Sequence, residues 1–246
     1  MLIAGLTGIF VVIALILVFL VDLTILAVSP AREAKIFSGW VPEDLVEVAD
    51  GRLESVASIV HGLQSHWPDR EYEIRVIVAE DEDANALAVP GGVIVVTNGL
   101  LDEVRSENEL AFILGHEMGH FRNRDHLRGL GRGIAFSLMF AAISSSDGGA
   151  DLGLAVADLT LRRFSRDQEN DADRFGLELV QAQYGHVGES WRFFERLNEI
   201  DGRPGLLTTY LSTHPETGER IQQLQDYARE MNWPLAGRTV QMEWDN

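Results

Sequence analysis

The chain has 246 residues, enough for one compact domain and an appendage. Its net charge of −18 excludes a non-specific nucleic-acid binder, which needs clustered Lys and Arg against phosphates. It contains no cysteine, so disulfides and thiolate metal sites are excluded and any metal must be held by His, Asp or Glu.

The first element is an unbroken apolar or small-residue run from Leu2 to Val21; Asp22 interrupts it and it resumes to Val28. About 20 such residues suffice for a helix to span a bilayer. No Lys or Arg precedes the run, unlike a secretory signal, and a buried core helix is seldom apolar on every face. The run predicts a single-pass membrane anchor over residues 1–30, in contact with the lipid bilayer, with Asp22 near an interface where its charge is tolerated. Arg32 and Lys35 lean toward a cytoplasmic C-terminal domain. Residues 31–42 read as a linker that ends at Pro42, and residues 43–246 as the folded domain.

Within that domain, apolar spacing predicts a helix from Pro42 through Leu63. "EIRVIVAE" (73–80) alternates as a strand does; a second β stretch breaks at Pro90-Gly91-Gly92 and resumes over Val93 to Thr97. Ser106 with Glu109 has the capping-box pattern and opens a helix that runs into the 120s. "IAFSLMFAAI" (134–143) is apolar but too short to span a bilayer. Further helices are predicted over 164–183, 187–200 and 216–231. The fold class is α+β, mainly helical, with a small sheet of about three strands beside the helix that carries the chemistry.

That chemistry lies in "HEMGHFRNRDH". His116 and His120 are one helical turn apart, so both imidazoles reach one zinc ion. Glu117 adjoins the first, in position to take a proton from activated water. A catalytic zinc needs a third protein ligand and an open position. Two candidates compete on spacing alone. His126 completes H-E-x-x-H-x-x-G-x-x-H except that Asn123 stands for Gly, and Asn tolerates the left-handed turn that pattern requires. Glu169 shares a helix face with Asp173, so that one carboxylate could bind zinc while the other supports a ligand histidine.

Four segments in order, "NALAVPGGVIVVTNGLL", "NELAFILGHEMGHFRNRDH", "SRDQENDADRFG" and "STHPETGERI", resemble the HtpX / CAAX prenyl endopeptidase type of zinc metallopeptidase. The resemblance implies a zincin-type (gluzincin) domain and one Zn²⁺ per chain on His116, His120 and Glu169. It implies Glu117 as general base, Asp173 as the carboxylate behind a ligand, and His214 at the cleft as a catalytic helper, either touching substrate or serving as a lid ligand. His126, His61, His66 and His186 then become flanking residues. The implied activity is peptide-bond hydrolysis on peptide, unfolded or membrane-associated protein substrates, in protein quality control. A non-cleaving chaperone-like use of the same groove is the alternative. The chain lacks the membrane helices of multi-span members and so resembles singly anchored ones, with the domain on the periplasmic side of the cell membrane. Val93 to Thr97 is expected to be an exposed edge strand that pairs with substrate. Arg166 and Arg220 are candidate oxyanion or carboxylate contacts, with surface salt bridges the favoured expectation.

Overall fold

A computed structural model describes residues 2–38, 51–143, 164–199, 210, 214 and 217–242. Helix α1 covers Leu2–Ala27 and α2 covers Pro30–Ile36. They are followed by α3 (Leu53–Ser65), β1 (Arg75–Ala79), β2 (Ala86–Val89), β3 (Val93–Thr97) and α4 (Asn98–Glu103). Next come α5 (Glu107–Asn123), α6 (Asp125–Ile143), α7 (Arg166–Tyr184), α8 (Arg192–Glu199) and α9 (Thr217–Glu230). The α+β, mostly helical class with a three-stranded sheet is as expected. The predicted helix start near Pro42 lies outside the described residues.

The sheet order is β1-β3-β2, with β1 parallel and β2 antiparallel to β3. Gly91 and Gly92, at φ 96° and 81°, make the β2–β3 turn, where a side chain would be strained. This order corrects the edge-strand expectation. Val93 to Thr97 is the central strand and is wholly buried, because its β-branched residues are apolar on both faces. The strand at the edge next to α5 is β2. One face of the sheet (Val76, Val78, Ile94, Val96) joins the main core with α3, α5 and α7. The other face (Ile77, Val93, Val95) forms its own cluster.

Helix α1 is apolar, and over residues 12–27 most of its side chains are exposed or half-buried, with Leu15, Phe19 and Leu26 open to the surroundings. Among the described residues no single helix is long and apolar enough to cross a membrane; Val12–Ala27 and Pro30–Ile36 are so together, but they bend by 101° at the break. Asp22 faces α6, 3.6 Å from Arg128 Nε and 3.5 Å from Arg132 NH2. The segment read as linker opens with α2, capped by Ser29, and Glu33 on it is fully buried.

Candidate metal centre

Helix α5 is capped as its sequence predicts: Ser106 Oγ accepts from Glu109 N. The Glu109 carboxylate, however, accepts from Arg105 N and holds Arg196 in a fork at 2.8 Å on both oxygens. Nearly all of α5 is buried, since its polar residues His116, Glu117 and His120 find partners inside the molecule. Helix α7 opens with a full capping box of Ser165 and Gln168.

Close packing of these two helices makes the site. A Cβ on Gly119 would lie 2.6 Å from Ala172 Cα, and one on Gly115 would lie 3.0 Å from Gly176 Cα. Only small residues at this crossing let the backbones come so near. Glu169 and Asp173, one turn apart on α7, then reach across to the two α5 histidines.

Asp173 Oδ1 lies 2.9 Å from His116 Nδ1, and Asp125 Oδ2 lies 3.1 Å from His120 Nδ1. Each carboxylate accepts a hydrogen bond from Nδ1–H, so in the neutral ring each Nε2 is a bare lone pair. The two Nε2 atoms face each other at 3.1 Å. Two lone pairs at that distance repel unless a cation lies between them. Glu169 adds negative oxygens 3.5 Å from His116 Nε2 and 3.6 Å from His120 Nε2. His214 Nδ1 is 3.0 Å from Glu169 Oε1 and 3.1 Å from His116 Nε2. One donor atom from each of these four buried residues lies within 4.8 Å of the others. Their chemistry fits a zinc ion, which favours imidazole and carboxylate donors in tetrahedral array.

The local electrostatics agree. Burial pulls the His116 imidazole down to about 4, which keeps it neutral, as a ligand must be. Burial raises Glu169, but His214 and Arg220 outweigh it and hold this carboxyl well below its usual range. Burial pushes Glu117 up to about 8, the direction expected of a proton acceptor in a dry site. Glu117 Oε2 accepts from Ala88 N at 2.9 Å, and among the described residues Oε1 accepts no hydrogen bond. His214 Nε2 is 3.4 Å from that free oxygen. Phe164 stacks on His120 with ring centroids 3.9 Å apart and helps line a cleft of about 80 Å³ beside Glu169.

Three residues correct the sequence reading or extend it. His126 does not reach the histidine pair; its Nε2 lies 2.8 Å from Glu33 Oε1. The left-handed residue is Arg124 (φ 58°), not Asn123, and the next helix starts at once and carries His126 away. Arg220 forms no surface pair. It is buried, with NH1 2.7 Å from Glu169 Oε2 and NH2 2.6 Å from Asp173 Oδ1. Arg166 does pair at the surface, 3.8 Å from Glu219. Asp125 was missed altogether; its position just after the predicted ligand helix was the available signal. His66 and His186 make other contacts, with Gln183 and with the Arg238 carbonyl.

The profile of peptidase family M48 matches residues 48–228. The chain is 31% identical over 211 residues to the mitochondrial metalloendopeptidase OMA1 of Bos taurus, covering 76% of this chain and 40% of that protein. It is 27% identical over 194 residues to the mitochondrial metalloendopeptidase OMA1 of Schizosaccharomyces pombe, with 73% and 57% covered. It is 32% identical over 154 residues to the metalloprotease YcaL of Escherichia coli, with 58% of each covered. The chain thus spans roughly half the length of these relatives. The comparisons establish the family and not the HtpX / CAAX prenyl endopeptidase subtype. With two buried histidines on the H-E-x-x-H helix, a carboxylate donor reaching them from α7, and a profile match over most of its length, the chain belongs to peptidase family M48.

Proposed function

We propose that the protein is a membrane-anchored, zinc-dependent endopeptidase. The observation that carries this reading is the pair of bare Nε2 atoms facing each other at 3.1 Å, with Glu169 beside them and Glu117 next in sequence. His116, His120 and Glu169 would hold the zinc, one ion per chain, with Asp173 and Asp125 orienting the imidazoles. Bound there, zinc supplies Lewis acidity and makes water acidic enough to yield a nucleophile near neutral pH.

The remaining work falls to the chain. Glu117 Oε2 is tied to Ala88 N, so Oε1 is the oxygen left to accept a proton from the attacking water. Glu117 then delivers that proton to the leaving amine. His214 Nε2, facing the same point, contacts the substrate carbonyl as charge develops on its oxygen. The outer edge of β2 faces the site, since Ala88 N donates to Glu117 and not to β3. An extended substrate pairs there through its backbone, which suits unfolded or peptide substrates and a quality-control role.

The bilayer takes up the exposed apolar side chains of α1. In this reading residues 1–30 are the anchor and 43–246 the peptidase domain, on the periplasmic side as in the singly anchored members it resembles. Purified protein should degrade casein and stop when zinc is chelated. Glu117→Gln should keep one zinc per chain and lose about 10²–10⁴ in rate. Full activity in that variant refutes the mechanism. Chelator-insensitive binding of casein without cleavage would support a chaperone-like role instead.

A further inference from the structure

Glu33 lies outside the metal centre, yet all of its carboxylate is engaged. It is fully buried on α2. Oε1 accepts from Gly91 N at 3.0 Å and contacts His126 Nε2 at 2.8 Å. Oε2 accepts from Tyr72 OH at 2.5 Å and from Arg124 NH2 at 3.2 Å. One side chain therefore ties the segment after the apolar helix to two parts of the domain. Gly91 is in the turn that ends β2, and Arg124 and His126 flank Asp125, the carboxylate behind His120. Arg124 extends the tie backward: NH1 caps the end of α1 at the Ile25 and Val28 carbonyls. Charge-assisted bonds at a buried carboxylate are stronger than neutral ones and fix geometry closely.

We propose that Glu33 is a positioning residue for the substrate-pairing edge. It holds the β2–β3 turn against the C-terminal end of α5, and so sets the distance between strand β2 and Glu117. Gly91 is the point of control, because it lies three residues beyond Ala88, whose amide meets Glu117. On this basis α2 is part of the peptidase machinery. The inference rests on the proposed peptide-binding role of β2.

The test uses the full chain in detergent with zinc bound. Glu33→Ala should raise KM for a ten-residue peptide about tenfold at unchanged zinc content, since one strand's worth of pairing loses its register. A short acyl-dipeptide substrate, too small to pair along β2, should keep its KM. Tyr72→Phe removes the bond to Oε2 and the one its hydroxyl accepts from Arg124 Nε, leaves the Gly91 bond in place, and should lower Tm without raising KM. Hydrogen exchange of the zinc-free protein should speed up over residues 86–92 in Glu33→Ala and not in Tyr72→Phe. Where Glu33→Ala fails to fold, Glu33→Met, which keeps the length and removes both acceptors, carries the same comparison. Equal KM changes for both peptides, or unchanged exchange over residues 86–92, would overturn the proposal. An inactive wild-type protein would sink the peptidase reading alone, and exchange would still decide the role of Glu33.

Discussion

Replacing Gly119 by alanine sets two effects against each other at one atom. In a helix interior alanine is favoured over glycine by about 1 kcal/mol. Here the new Cβ would stand 2.6 Å from Ala172 Cα and 3.0 Å from Ala172 Cβ. Carbon pairs settle near 3.5–4.0 Å, so α7 must retreat by roughly 1 Å at this point. Overpacking of this kind costs about 1–3 kcal/mol, so the zinc-free protein should lose between nothing and about 2 kcal/mol. The metal site should suffer more. Asp173 follows Ala172 directly and Glu169 lies one turn before it, so both move with the backbone, while zinc distances tolerate only about 0.2 Å. Disturbing such partners typically costs about 10–100-fold in metal affinity. Urea unfolding of the zinc-free protein and zinc titration against a competing chelator measure the two effects separately. A variant that is more stable and binds zinc as tightly as the parent would refute the idea that the α5–α7 contact sets the site.

Other substitutions probe the outer residues. His126→Ala should leave zinc at one per chain and cost roughly 1–3 kcal/mol in chemical unfolding, because Glu33 loses a buried partner; loss of metal would return His126 to the site. Arg220→Met should destabilise by about 3–5 kcal/mol and weaken zinc binding, since it strips the counter-charge from Glu169 and Asp173. Acid should reveal Glu33. Burial raises this carboxyl, but His126, Tyr72 and the Gly91 amide outweigh burial and bring it down from 4.5 to about 2. A depressed folded-state value stabilises the protein above the unfolded value, and that stability drains away as pH falls from about 4.5 to 2. The component is on the order of 3 kcal/mol, and Glu33→Gln should lack it when Tm is followed across that window.

Much of this molecule was legible before any coordinates. The H-E-x-x-H spacing fixes two imidazoles and a carboxylate on one helix because a helix has a known period, and that inference holds locally. The capping residue Ser106 and the glycine turn at 91–92 are local in the same sense. The failure of His126 shows only in the structure, where Arg124, one residue later than expected, takes the left-handed turn.

The third donor could not be decided by spacing, since both His126 and Glu169 were compatible with it. Glu169 reaches the histidines because Gly119 meets Ala172 and Gly115 meets Gly176, contacts between helices far apart in sequence. Likewise, Arg220 looked like a surface charge, because its burial depends on carboxylates brought in by another helix. Strand order is also a long-range property, and it put β2 and not the buried β3 at the sheet edge beside α5. Glu33 carried no signal at all: a lone acid between Arg32 and Lys35 reads as solvated until Gly91, Tyr72, Arg124 and His126 close around it. The sequence by itself determined the reacting groups and the elements that bear them, because those follow from local periodicity. Only the tertiary structure decided which distant charges meet, because burying a charge is favourable only where its partners arrive with it.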